Sequence, residues 1–429
     1  MIESGGEVNN LTGNKITRRS ALRLAAMAAG SPLLARAAQQ APAAVPAPAQ
    51  QAYRPARVYP PVYSEDVMGP VNVYEMEDVA RSKVNPIAYD YIAGGSAGEL
   101  TMEANREAFL HVQLRRRVGV DVSRLDTSID LLGTKLDFPI LLGPGGHKNL
   151  IYADGERVAA MGAAHSKALY MTGPSEWMAK LQGTPDAPVW WASALGLPDR
   201  AAAQAFAKRA EDAGAKAISV TIDYPYTPPR DREIKNHFDY VWSSNKEGVP
   251  PNPSVTDVRE QPAIAGTIWS FVTTMTWDVL DWLHGATKLP IVIKGIVTGE
   301  DAHTAVQRGA QAIIVSNHGG RTLDGMIPTL YALPEVVAAV NGKIPVLMDG
   351  GIRRGSDIVK AMALGANAVL IGRPYYWGLA AFGQVGVQRV IEMLRGEMMV
   401  AMAQSGIPNL ASFDRSLVEF LPGTRTVLD

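Results

Sequence analysis

The chain has 429 residues, 47% of them hydrophobic and 19% charged, enough apolar material for a large buried core and enough length for one α/β barrel with additions. A formal net charge of −1 gives no electrostatic basis for binding nucleic acid or an anionic membrane surface. With no cysteine, disulfides, thiolate catalysis and Cys-ligated zinc or iron–sulfur centres are excluded, and no metal site is expected.

The first 37 residues read as an export leader. Thr17-Arg18-Arg19-Ser20-Ala21-Leu22-Arg23 carries paired arginines, an Ala-rich apolar run follows over 24–29, and Ala35-Arg36-Ala37 places small residues where a signal peptidase cuts. This resembles a bacterial twin-arginine signal, whose route carries folded cargo, and implies a periplasmic protein. The apolar run is too short for a membrane span, and no later stretch reaches the roughly 18 apolar residues that one requires. Residues 38–70, rich in Ala, Pro and Gln, have the composition of an extended linker. The domain proper is expected over 71–429.

That domain opens with short helical stretches at 76–82, 86–92 and 100–110, the second placing Tyr89-Asp90-Tyr91 just before Gly94-Gly95. From Phe138 the pattern alternates. Strand-like runs fall at 139–142, 169–172, 189–192, 217–221, 291–294, 312–316, 346–348 and 368–371. Between them lie amphipathic segments at 156–166, 201–213, 302–308, 330–340 and 357–364. Gly214-Ala215, Gly309-Ala310 and Gly365-Ala366 each sit between a helix and the next strand, where glycine closes a helix in the left-handed conformation. So many βα repeats predict an α/β fold of the (β/α)8 TIM-barrel type with an N-terminal helical extension. The Pro-, Ser- and Asn-rich segment 240–266 reads as a long loop after the fourth strand, a candidate lid.

In such barrels chemistry gathers at the C-terminal ends of the strands. Polar residues fall there repeatedly: Thr221, Asp223 and then Arg230 after strand four, Lys294 at the end of strand five, and Ser316-Asn317-His318-Gly319-Gly320-Arg321 after strand six. A histidine can move a proton near neutral pH, and an arginine three residues on can grip a carboxylate with a two-pronged hydrogen bond. Alone, the pair could equally be a polar turn. Asp349-Gly350-Gly351-Ile352-Arg353-Arg354-Gly355 and Gly372-Arg373-Pro374 follow strands seven and eight as glycine-rich turns carrying arginine. Either could be an ordinary turn into a helix, but two on adjacent strands suit a phosphate site.

Together with Tyr89-Asp90-Tyr91 and the strand ending in Lys294-Gly295, these strings resemble the FMN-dependent 2-hydroxy-acid oxidases and dehydrogenases, the group of glycolate and lactate oxidases, mandelate dehydrogenase and flavocytochrome b2. The resemblance runs from about Val71 to near the C-terminus. It implies FMN as cofactor, a small 2-hydroxy acid as substrate, and oxygen or a respiratory carrier as electron acceptor. It also implies a homo-oligomer, a tetramer in the family. His318 would be the base and Asp223 the carboxylate that polarises it. Arg321, Arg230 and Tyr91 would surround the substrate, Arg321 and Tyr91 gripping its carboxylate, and Lys294 would lie against the flavin N1/O2 edge. The remaining cofactor set would be Pro144, Gly145, Gly146, Thr221, Ser316, Asp349, Gly350, Gly351, Arg353, Gly372 and Arg373, with the last five residues serving the phosphate.

The chain also departs from the family pattern. Ser193 and Leu195 stand where a Gln and a Tyr are usual at the end of strand three. Pro144-Gly145-Gly146 replaces a Pro-x-Ala turn, and Thr172-Gly173-Pro174 replaces a hydroxyl-rich one. His147 could project into the altered site or stand behind it. These changes leave room for two further readings, a non-redox flavin barrel of the isomerase type and a binding protein that has lost turnover.

Overall fold

The structure, a computed structural model, describes residues 69–236, 272–422 and 424. The leader, the 38–68 part of the linker and the 240–266 loop lie outside the described residues. Eight parallel strands close into one barrel, in which β8 pairs with β1: β1 Ile140–Leu142, β2 Leu169–Thr172, β3 Trp190–Leu195, β4 Ile218–Thr221, β5 Ile291–Ile296, β6 Ala312–Val315, β7 Val346–Met348 and β8 Ala368–Ile371. The expected barrel is the observed one, with small differences at strand ends. β3 and β5 run further than the apolar pattern suggested, to Leu195 and Ile296, and β6 stops one residue short of Ser316.

Alternate residues point inward and fill the barrel. Leu141, Met171, Trp191, Val292, Ile314, Leu347 and Leu370 form one buried cluster, to which Leu131 and Leu136 of an antiparallel hairpin (Ile129–Leu131 with Thr134–Leu136) contribute. The opposite faces of the strands pack on the surrounding helices, among them Gly155–His165, Arg200–Asp212, Gly299–Gln307, Thr329–Val340 and Gly355–Ala363. Gly214, Gly309 and Gly365 adopt φ of +77°, +84° and +105° at the helix exits, as the Gly-Ala pattern requires.

The N-terminal extension consists of helices α1 Val73–Lys83, α2 Pro86–Ala93 and α3 Leu100–Glu107, the last continued by a 3₁₀ turn, Ala108–His111. Asn85 caps α2 by accepting from the Ile87 amide, and Pro86 fills the first helical position, where no amide hydrogen is needed. The extension braces the loop after β6. Asn105 and Asn317 exchange amide hydrogen bonds of 2.8 and 2.9 Å, and the Ser96 amide donates to the Gly320 carbonyl at 2.8 Å. A side chain on Gly320 would collide with the backbone of Met102, so the close approach depends on glycine.

Candidate active site

The C-terminal ends of the strands surround a cavity of about 460 Å³. Tyr91, Pro144, Gly145, Gly146, Arg230, Lys294, His318, Arg321, Asp349, Gly350, Gly351, Arg353, Gly372 and Arg373 all line it. Residues far apart in the chain thus meet because all but Tyr91 end a parallel strand or follow one, and Tyr91 is brought in by α2 of the N-terminal extension. Three expected site residues do not reach the wall. Thr221, Asp223 and Ser316 are not in contact with the cavity, because Thr221 and Ser316 are buried at strand ends and Asp223 lies behind the His318 ring.

His318 adopts a left-handed backbone (φ 58°), an uncommon conformation for a residue with a side chain. Its amide donates to Ser316 Oγ at 3.0 Å, and its Nδ1 lies 2.9 Å from Asp223 Oδ1. Burial pushes the imidazole below its ordinary value, while Asp223 opposes that shift. Burial would raise Asp223, but the charges of His318 and Lys294 outweigh it and hold the carboxyl below the usual range. The ionised carboxylate therefore accepts from Nδ1–H, which leaves Nε2 as the basic nitrogen.

Asp223 can stand there only because Gly295 has no side chain. Gly295, at φ 112°, marks a register shift between β5 and β6, and a Cβ on it would come within 2.7 Å of Asp223 Cβ. Beside it the Lys294 ammonium donates to Ser316 Oγ at 2.9 Å and lies 3.5 Å from Asp349 Oδ2, while Ser316 donates to Asp349 Oδ1 at 2.7 Å. Lysine, serine and aspartate thus fix one another, Lys294 and Asp349 at the cavity wall and Ser316 behind them.

Also in the lining, the Arg321 guanidinium donates at 2.7 Å to the Tyr91 and Gly94 carbonyls and lies over the Tyr91 ring at 5.1 Å. Glu233 joins the two arginines, accepting from Arg230 at 2.8 Å and from Arg321 at 3.4 Å. Arg230 also donates to Tyr224 Oη at 2.9 Å. Burial raises the Tyr91 phenol, so it keeps its proton and remains a donor.

The donor set suits a phosphate-bearing cofactor. Gly350 and Gly351 turn through φ of +102° and +83°, and a side chain on Gly351 would overlap the Asn105 carbonyl. At Gly372 an added Cβ would meet nothing within 4 Å, so the turn after β8 is open to a ligand. Arg373 donates to the carbonyls of Ile92, Gly94 and Gly319, and its charge is disfavoured first by burial and then by repulsion from Arg321, Arg353 and Arg106. Crowded buried cations beside glycine turns are relieved by an anion, and a phosphate would supply one.

A model of the FMN-dependent dehydrogenases matches residues 80–420. The chain belongs to the FMN-dependent 2-hydroxy-acid oxidase and dehydrogenase family. It is 40% identical over 361 residues to an L-lactate oxidase of Nostoc sp., an alignment covering 82% of this chain and 99% of that one. It is also 40% identical to a peroxisomal (S)-2-hydroxy-acid oxidase of Oryza sativa subsp. japonica, over 81% and 96% of the two chains. A mandelate oxidase crystallised with (S)-2-phenylpropionate superposes with a TM-score of 0.71 at 34% identity, covering 82% of this chain and 99% of that one. Membership of this family makes the protein an FMN-dependent oxidoreductase.

Several residues of this family member's site escaped the sequence reading. Glu233 and Tyr224 were visible in principle, Glu233 three residues after Arg230 and Tyr224 directly after Asp223. Lys148 carried no signal. It is fully buried, pairs with Glu156 at 2.9 Å, and donates to the Gly145 carbonyl. Its ammonium lies 5.6, 5.8 and 5.1 Å from the ring centres of Tyr170, Tyr375 and Tyr376. Tyr375 and Tyr376 donate at 2.9 Å to the carbonyls of Gly143 and Gly146. The unusual Pro144-Gly145-Gly146 turn is therefore held from behind by one ammonium and two phenols. His147 lines the cavity edge-on to Tyr91, with ring centres 5.2 Å apart, whereas Gly173 and Ser193 stand outside the lining.

Proposed function

We propose that the protein oxidises a 2-hydroxy acid to the corresponding 2-oxo acid and passes the electrons to oxygen or a respiratory carrier. The observation that carries this reading is His318, held 2.9 Å from Asp223 and lining the same cavity as Arg230, Arg321 and Tyr91. Arg321 and the Tyr91 phenol bind the substrate carboxylate and turn its C2 toward the base. His318 Nε2 takes a proton, and Asp223 stabilises the imidazolium that forms. FMN, when bound, would supply the acceptor for the two electrons and the hydrogen that C2 loses. Arg353, Arg373 and the glycine turns after β7 and β8 would hold its phosphate, and the fixed Lys294 ammonium would favour negative charge on its ring. The intact proton-accepting pair and carboxylate clamp favour oxidation over the isomerase and binding-only readings.

The preferred substrate is bulkier than glycolate. A Cβ on Gly146 would meet nothing within 4 Å, and Leu195, 45% exposed, presents an apolar side chain to the cavity. Anaerobic addition of glycolate, lactate and mandelate to the yellow protein tests both claims. Bleaching of the flavin is expected, fastest with the larger acids; no bleaching by any of them refutes the activity, and glycolate as best substrate refutes the preference.

The protein acts in the periplasm after export by the twin-arginine route, a reading supported by Arg18-Arg19, the apolar run and Ala35-Arg36-Ala37. Among the described residues no helix is long and apolar enough to cross a membrane. Replacing Arg18 and Arg19 together by lysine should leave the precursor in the cytoplasm; unchanged processing and fractionation would refute the route. A homo-oligomer, as expected from the family, is part of the same proposal, and sedimentation of the mature protein tests it.

A further inference from the structure

Besides Tyr91, and Tyr376 whose O–H is given to the Gly146 carbonyl, the cavity lining contains a further phenol, Tyr224. The Tyr224 ring lies 5.4 Å from the His318 ring, centre to centre, tilted by 39°. Its Oη accepts a hydrogen bond of 2.9 Å from Arg230, which is itself buried and held by Glu233. A phenol oxygen that accepts from a guanidinium still has its own O–H to give. Among the hydrogen bonds of the described residues, Tyr224 Oη gives that proton to no other group. A cationic donor on the oxygen also polarises the O–H and makes it a stronger donor than an ordinary phenol.

The neighbouring strand explains why this donor is needed. Leu195 ends β3, in register with Thr221 at the end of β4, and shares the cavity with Tyr224. It offers no polar atom. Leu195 can donate nothing to a substrate oxygen facing that side, so a protein donor there has to come from the loop after β4.

We propose that Tyr224 donates its phenolic hydrogen bond to the C2 oxygen of the bound 2-hydroxy acid, doing from the β4 loop what the end of β3 cannot do here. This rests on the 2-hydroxy-acid oxidation proposed above. As His318 takes the hydroxyl proton, negative charge grows on that oxygen, and the Arg230-polarised O–H is already aimed to stabilise it. Tyr224 keeps its proton throughout. Arg321 and Tyr91 bind the carboxylate, so Tyr224 acts on the reacting oxygen and contributes little to the affinity for a simple carboxylic acid.

The test uses flavin-loaded full-length protein and Tyr224→Phe. The substrate is whichever 2-hydroxy acid bleaches the wild type fastest, and the control ligand is the carboxylic acid lacking only its 2-hydroxyl group. Saturating flavin reduction should slow about 100–1000-fold, the range for losing a donor to a developing oxyanion. Affinity for the deoxy acid and the thermal midpoint should stay as in the wild type. In the Tyr224→Phe background, Leu195→Tyr should recover part of the lost rate. Reduction as fast as in the wild type would overturn the proposal. So would a loss matched by equally weakened deoxy-acid binding, because Tyr224 would then merely hold Arg230 in place. Failure of every 2-hydroxy acid to bleach the wild type would instead refute the activity itself, and it would be seen before any variant is made.

Discussion

The two sides of the cavity are built differently. On the β4–β6 side, Asp223, Lys294, Ser316 and His318 lie within a few residues of strand ends, and Asp349, at the end of β7, completes the group by hydrogen-bonding Ser316. On the β1 side the wall is backbone, the turn 143–146, and its support comes from Lys148, Tyr375 and Tyr376, the ammonium paired in turn with Glu156. The first side holds the groups proposed above to move the proton, and the second hydrogen-bonds a glycine turn from behind. Chemistry and scaffold are thus separable by mutation.

The largest effect should come from His318→Gln, which removes the proposed base while leaving the barrel core untouched. Flavin reduction should fall about 10²–10⁴-fold, as for loss of a general base, with FMN still bound and the thermal midpoint unchanged. Stopped-flow reduction and a melting curve measured on the same preparation check both halves, and wild-type-like reduction would put the base elsewhere.

Lys148→Met should show the reverse pattern. It leaves Glu156 without its cation and the Gly145 carbonyl without its donor, at a cost of about 3 kcal/mol, the lower end for a broken buried pair, because Glu156 is a quarter exposed. Adding Glu156→Gln should recover much of the loss by removing the unpaired charge. Denaturant midpoints for the single and double variants measure this; an unchanged midpoint in Lys148→Met would show that the turn needs no ammonium behind it.

The smallest and sharpest test is pH. Because the net effect on His318 is downward, with burial outweighing Asp223, the neutral imidazole persists to lower pH than in an ordinary histidine. The acid limb of kcat/KM should therefore rise with pH and be centred below about pH 6.5, the unperturbed histidine value. A limb centred above that value would mean that Asp223 dominates and that the burial argument is wrong.

Much of this was legible in the chain. Short β-branched runs such as Ile313-Ile314-Val315 give parallel strands because both of their faces are buried, and helix-ending glycines mark the return to the sheet. The polar residues after each run are site residues because parallel topology brings all those ends to one mouth. The expectations missed where partners come from distant segments. Nothing around Lys148 announces burial, since its ion-pair and aromatic partners lie from 8 to more than 200 positions away. Asn105 is equally silent until α3 meets the loop after β6.

The sequence by itself determined the barrel, the histidine–arginine string and the two glycine–arginine turns, because each depends on local period and on order along the chain. Only the tertiary structure decided which side chains reach the cavity. It set Asp223 behind His318 through the missing side chain of Gly295, and it directed the Arg373 guanidinium onto the carbonyls of Ile92, Gly94 and Gly319. It also buried an ammonium under a turn and brought a phenol from the β4 loop beside an apolar β3 end. These are contacts between segments far apart in sequence, fixed by close packing and by the need to pair every buried polar group, and neither constraint has a period that can be read along one strand.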